Sequence, residues 1–575
     1  MATRLKAAAA FSSESYHPML YFLPLMLICD SYRPVFLSSV VPLNTFPFFG
    51  PLIPRVERLY GEVYTTTVPD IAIKTGTVDA LLAEISVGSV VKGARHVMNA
   101  IDFAFHSNVD VDVAWVVYPR KDWDLQNANL VSVEQIRDTF AQVCMGVAEL
   151  HARGIAHLDL KPPNVLCDED GTCVVADLGN SATNVSYAGT LPPQSNVCTV
   201  WYRPPEAWLG LPFGFPFDIW SLGVMLVNLF LMLLDRKRYP LYKSFVSLFE
   251  TFGVPSEEDW ELSTKCLAMI PPGTPSAIEG SRTIANRLRD LSVPEDAIDL
   301  ASHMLCLDPG KRWDIDKVLR SPYLAGAPSL GDPVPVSLHD PWSSVRRWKE
   351  HASITRIDRA YAHQLLFENV ITRWGLDKAS WLKRYAHTFV RATNVMDAYL
   401  ASVQGDAIVS PSALGILELA SCYVAAKLTN HGVIDDDPCT YRHRARAHGY
   451  EEDRFDLSVR DIMCNVPTVP SQPTHLDFLD RLMKGEKSTY RFVLTACLVC
   501  LTDEVFDRAP QRLAEMIYRI CTAPYLDLAS EEKDIMRAVI DSTQWSHADE
   551  YASTVGTYVD FMERQQDSTN SESIK

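Results

Sequence analysis

Basic side chains are in deficit: 53 Lys and Arg stand against 71 Asp and Glu, for a formal charge of −18. A chain this acidic is repelled at long range by nucleic acid and by anionic lipid, so neither is expected as a partner. Long apolar runs are missing too. The nearest approach, Met19 to Cys29 behind Arg4 and Lys6, imitates a secretory signal but is too short to span a bilayer and contains Pro24. Residues 1–50 therefore read as an N-terminal extension, and stable membrane insertion is not expected. Cysteine builds no framework: the thirteen present are odd in number and scattered, which suits a reducing, intracellular compartment. Cys497 and Cys500 form a C-x-x-C pair inside the apolar run Phe492 to Leu501, but no second pair is spaced to complete a zinc site, and both read as core residues. Tandem repeats are lacking as well.

What is present is ordinary globular composition, 47% hydrophobic and 22% charged, over 575 residues, long enough for two or three domains. From about Arg55 to Tyr118 the pattern is β-rich and irregular. Helical periodicity follows from Ser132 to His151 and from Asp218 to Leu234. That order predicts one domain over 55–325, with a small sheet lobe (about 55–120) leading into a helical lobe (about 121–325). Pro328, Pro333, Pro335 and Pro341, with Gly326 and Gly331, then break regular structure, so 326–344 reads as a linker. Residues 345–560 are helix-like throughout and predict an all-α domain. The polar tail 565–575 is expected to be disordered.

Phosphoryl transfer to a hydroxyl needs a carboxylate beside the attacking oxygen, cations across the phosphates, and acidic or amide oxygens for magnesium. His157-Leu158-Asp159-Leu160-Lys161-Pro162-Pro163-Asn164 supplies them in tight order, and Asp177-Leu178-Gly179 follows the apolar strand Cys173 to Ala176. Each fragment alone is a loop acid or a turn. Together, at this spacing, they resemble the catalytic loop and the magnesium-binding motif of protein kinases. The resemblance implies a bilobal α+β fold, ATP and Mg2+, and roles residue by residue. Asp159 would orient the substrate hydroxyl and accept its proton. Lys161, typical of serine/threonine kinases, would face the transferred phosphoryl group. Asn164 would hold the second magnesium, and Asp177 would bridge metal and phosphates.

Upstream, Ile71-Ala72-Ile73-Lys74 resembles the strand whose lysine holds the first two phosphates, and Ala83-Glu84-Ile85-Ser86 resembles the helix that supplies its glutamate partner. Glu84 is then the partner, and a separation of 84 − 74 = 10 residues requires a trimmed strand-to-helix connection. Gly61-Glu62-Val63 matches the end of the glycine-rich loop, which would put Gly61 and Val63 against ATP. Val56 and Arg58 stand where that loop has glycine, and their side chains would hinder close backbone approach to phosphate.

Cys198-Thr199-Val200-Trp201-Tyr202-Arg203-Pro204-Pro205-Glu206 resembles the T-L-W-Y-R-A-P-E segment of cyclin-dependent kinases, as Phe252-Gly253-Val254-Pro255 with Trp260 resembles their later insert. On that resemblance Thr199 would bond near Asp159, Glu206 would pair with Arg312, and Asp218 would brace the catalytic loop. Arg203 is characteristic of the proline-directed branch, so protein substrates with Ser-Pro or Thr-Pro sites are expected. Leu158 stands where the family has an arginine that docks an activation-loop phosphate, and the phosphorylated position falls on Gln194, beside Ser195. Acceptor and receptor are missing together, which implies activation without that phosphorylation.

Farther on, Asn394-Val395-Met396-Asp397-Ala398-Tyr399-Leu400, the stretch Leu414 to Leu428, and Pro473-Thr474-His475-Leu476-Asp477-Phe478-Leu479 resemble successive cyclin helices in order. Any alanine-rich helical bundle is the plainer reading. Departures are Ala398 for arginine and Val459 where the glutamate partner of Lys427 belongs, with Asp456 and Asp461 nearby. Trp374, with Val370 and Ile371, matches the cyclin docking patch, but Glu368 replaces its arginine, so a buried tryptophan is the plainer reading there. The resemblance implies a cyclin-like domain over 345–560 acting intramolecularly on the small lobe. A linker of about 25 residues reaches about 80 Å, and tethering gives a roughly millimolar effective concentration. The expected compartment is cytoplasmic or nuclear, in a host cell if the fusion is viral. The competing function is a pseudokinase or interaction scaffold with weak nucleotide binding. Retention of Lys74, Asp159, Asn164 and Asp177 favours transfer.

Overall fold

The computed structural model describes residues 53–58, 61–65, 70–108, 111–183, 185, 198–211, 213–235, 240–255, 270–328, 363, 366, 379–402, 411–428, 445–446, 449, 452–471, 474–483, 490–502, 509–523 and 527–543. The extension 1–50, most of the linker, Gln194, Ser195, Trp260, Glu368, Val370, Ile371, Trp374, Pro473 and the tail 565–575 lie outside the described residues.

The small lobe is an antiparallel sheet of β1 (Ile53–Arg58), β2 (Gly61–Thr65), β3 (Ile71–Thr77), β4 (Asp102–Asn108) and β5 (Val111–Pro119), in spatial order β1-β2-β3-β5-β4. Val63 pairs with Val56 on one side and Lys74 on the other, while Gly61 pairs with Arg58. Helix α1 (Val78–Val90) starts on the residue after β3 ends. Thr77 makes this possible: its extended backbone closes the strand while its hydroxyl accepts from Ala80 N at 3.2 Å, capping the helix. The trimmed connection is thus no loop at all.

The large lobe follows through β6 (Trp123–Asp124), α2 (Val133–Ala152), the hairpin β7 (Val165–Cys167) and β8 (Cys173–Val175), then α3 (Pro205–Trp208), α4 (Pro216–Leu234), α5 (Phe245–Phe252), α6 (Ala277–Asp290), α7 (Glu295–Met304) and α8 (Ile315–Leu319). A Cβ on Gly146 of α2 would lie 2.3 Å from the His96 carbonyl, so only glycine lets the helix approach the chain leading from α1. Helix α4 is apolar and long enough to cross a membrane by composition, yet every residue from Pro216 to Leu231 is buried, because it is the central post of the lobe. The lobe continues to Ala327, which is buried against it. Cys167 and Cys173 are register partners across the hairpin, and a disulfide joins them with Cα atoms 4.2 Å apart. Cys497 and Cys500 are buried in the C-terminal core.

The C-terminal region is all helix among the described residues: α9 (Ala379–Ser402), α10 (Pro411–Leu428), α11 (Glu452–Asn465), α12 (His475–Leu482), α13 (Tyr490–Val499), α14 (Pro510–Thr522) and α15 (Ser530–Thr543). Helix α9 is the hub, packed on α10 and α13, and α10 packs in turn on α11. Its apolar core does not stop at the domain edge. Val78, Leu81, Leu82 and Ile85 of α1 share one continuous core with Phe389, Leu417 and Val424. Helix α1 touches α10 and the short turn Val469–Ser471, while α11 reaches β4.

Candidate active site

The catalytic loop is held by its backbone. Asp218, at the start of α4 and fully buried, accepts from His157 N at 2.8 Å, Leu158 N at 2.9 Å and His151 Nε2 at 2.9 Å. Those bonds keep Leu158 in the left-handed region at φ 64°, a conformation a branched side chain adopts only when its surroundings impose it. His157 Nε2 donates to the Ala176 carbonyl at 2.9 Å and so ties the loop to the segment entering Asp177, itself left-handed at φ 65°.

Within this frame Asp159 is nearly enclosed. Its Oδ1 accepts from Thr199 N at 2.9 Å and Thr199 Oγ1 at 2.8 Å, and its Oδ2 from Lys161 Nζ at 2.6 Å. Lys161 also donates to Thr199 Oγ1 at 2.7 Å, and Asn164 Nδ2 donates to the Asp159 carbonyl at 2.9 Å. Asp159, Lys161, Asn164 and Thr199 therefore form one network.

From above, Lys74 Nζ reaches Glu84 Oε2 at 2.5 Å and Asp177 Oδ1 at 2.8 Å. Burial opposes the charge on Lys74, but the two carboxylates outweigh it and hold its pKa above the ordinary lysine range. Lys74, Glu84 and Asp177 thus meet, and Val63 stands opposite Lys74 on β2. Gly61 opens β2 after Leu59 and Tyr60, which lie outside the described residues.

Around the site, Glu206 receives both guanidinium nitrogens of Arg312, at 2.6 and 2.7 Å. Arg203 Nη2 donates to the carbonyl of Cys198, whose φ is 73°. Sequence reasoning gave no role to Tyr118, whose hydroxyl donates to Glu84 Oε1 at 2.6 Å, or to Ser86, whose hydroxyl donates to the Pro467 carbonyl in the C-terminal region. Tyr118 lies in no motif, Ser86 only closes the helix motif around Glu84, and a strand-end tyrosine carries no mark of where its hydroxyl points.

Among the described residues no cluster of three His, Cys, Asp or Glu side chains is placed to hold a metal alone. Asn164 and Asp177 fit magnesium nonetheless, since that ion takes one or two protein oxygens and fills its shell with phosphate and water. Carboxylate, cations and oxygen ligands arranged in this way can carry a phosphoryl group to a hydroxyl.

Residues 69–324 match the family model described as the protein kinase domain. Cyclin-dependent kinase 4 of Mus musculus is 31% identical over 242 residues, 40% of this chain and 75% of that relative. Cyclin-dependent kinase B2-1 of Oryza sativa subsp. japonica is 28% identical over 46% of this chain and 86% of the relative, and its Arabidopsis thaliana namesake 28% over 51% and 98%. With this lobed architecture and this site, the chain belongs to the cyclin-dependent-kinase-like serine/threonine protein kinases.

Proposed function

We propose that this kinase phosphorylates Ser-Pro and Thr-Pro sites and is switched on in cis by its own C-terminal, cyclin-like helical domain. The contact that carries the reading is on α1. Ser86, fully buried and two residues past Glu84 at the helix's centre, donates to the Pro467 carbonyl at 2.7 Å and shares a 2.6 Å bond with Ser471 Oγ. Leu81, Leu82 and Ile85 bury their side chains in the same core as α9 and α10. Helix α1 brings Glu84 to Lys74, so whatever seats α1 also sets the charge facing the phosphates. Leu158 is buried and apolar, which leaves no cation at that place for an activation-loop phosphate.

Asp159 takes the proton of the acceptor hydroxyl, Lys161 offsets charge on the moving phosphoryl group, and Lys74 steadies the remaining phosphates of ATP. Asn164 and Asp177 would hold magnesium, which supplies charge neutralisation between the phosphates. Proline preference follows from Arg203. It occupies the Cys198 carbonyl beside Thr199, so a substrate N–H arriving there finds no acceptor. Proline has no N–H to leave unpaired.

The test compares the full chain with a chain ending at Ala327, using magnesium, ATP and paired Ser-Pro and Ser-Ala peptides. Loss of at least about 100-fold in transfer on truncation is expected, as is at least about tenfold preference for the Ser-Pro peptide. Full activity of the truncated chain would remove the activator role, and equal use of the peptides would remove the proline preference.

A further inference from the structure

Glu84 is gripped from two sides. Lys74 takes Oε2, and the phenol of Tyr118 takes Oε1 at 2.6 Å. Tyr118 sits near the end of β5, in register with Ala72, two residues before Lys74 on β3. Its ring packs on Met98, Val174 and Ala176 and also borders the core that contains α1. One side chain therefore links the roof sheet, α1 and the segment that leads into Asp177.

We propose that Tyr118 is a positioning residue for phosphoryl transfer, its hydroxyl fixing the rotation of the Glu84 carboxylate so that Oε2 is presented to Lys74. The terminal torsion of a glutamate is broad and roughly two-fold. A single ion pair to a flexible lysine leaves that torsion free to swing. A second, short, charge-assisted bond from a ring locked by packing removes the freedom, and burial strengthens it. Burial and the Glu84 charge both push the Tyr118 phenol well above its ordinary pKa, so it stays a donor throughout the working range. Because Tyr118 belongs to β5, its action does not depend on whether the C-terminal domain is the activator.

The experiment uses full-length Tyr118→Phe and Tyr118→Leu, reading kcat, KM for ATP and the melting temperature. Both variants should lose roughly tenfold in kcat with KM for ATP moving less than about twofold, and Tyr118→Phe should melt with the unaltered chain. In a cycle with Glu84→Gln, Tyr118→Phe should add no further loss. Unaltered kcat in Tyr118→Phe with damage only in Tyr118→Leu would reduce the residue to packing and overturn the proposal. Additive losses in the cycle would overturn it as well, and loss of the Tyr118→Phe melting transition would assign the hydroxyl to the fold instead. If truncation at Ala327 leaves activity intact while Tyr118→Phe lowers it, cis-activation fails and the role of Tyr118 stands.

Discussion

The floor of the cleft and its roof are held in different ways. The floor is braced from within its own lobe: Asp218 grips the catalytic loop by two backbone amides, and the Glu206–Arg312 pair closes the lobe beneath it. The roof borrows support from far along the chain, since Ser86 on α1 bonds to Pro467 and Ser471, 381 and 385 residues away. A self-braced floor keeps its geometry regardless of regulation. A roof seated on another domain is where regulation can enter.

Breaking the floor should cost most. Arg312→Leu strips the partner from a buried Glu206 carboxylate and is expected to destabilise the kinase region by about 3–5 kcal/mol, read as a lowered denaturation midpoint. Transfer should disappear only as far as the fold does. A midpoint within experimental scatter of the unaltered chain would show that the floor does not depend on this pair.

The next effect lies beneath the roof's support. His387 on α9 is buried between Asp477 and Asp480 of α12, near Arg391, whose guanidinium donates to the Pro470 carbonyl in the turn that meets α1. Burial pulls the pKa of His387 down, but Asp480 and Asp477 outweigh it and push it up to about 9. His475, also buried close by, is lowered to about 4 and stays neutral. With its folded pKa raised, His387 contributes stability fully below about pH 6.5 and loses it as pH climbs to about 9, a change of up to about 3 kcal/mol. Melting between pH 6.5 and 9.5 should fall more steeply for the unaltered chain than for His387→Gln. Parallel slopes would remove His387 from the account.

Ser86→Ala should give the smallest effect and sharpen the comparison most. It removes the hydroxyl that bonds both Pro467 and Ser471 while sparing both cores, and should weaken α1 docking by about 1 kcal/mol, roughly a fivefold fall in transfer with the floor's stability unchanged. Unchanged transfer would mean that apolar packing alone seats the helix.

How much could be read beforehand follows the same division. Asp159, Lys161 and Asn164 lie within six residues, so their convergence is a local matter of loop geometry, legible in spelling. Lys74 and Glu84 were legible because the short stretches around them resemble kinase strand and helix motifs, while the strand running straight into a capped helix appeared only in the structure. The left-handed turn at Leu158 was not, because nothing in a leucine signals it. It arises from Asp218, sixty residues on. The hairpin disulfide was hidden among scattered cysteines until register set Cys167 against Cys173.

By itself, then, the sequence determined which side chains are candidates for a kinase site and in what chain order they come, because those depend on side-chain type and short spacing. Tertiary structure alone decided which oxygen of Glu84 faces Lys74, that Tyr118 takes the other, and that α1 is shared between two domains. These are outcomes of packing between segments from 10 to 381 residues apart, where shape and burial select partners that local pattern leaves open.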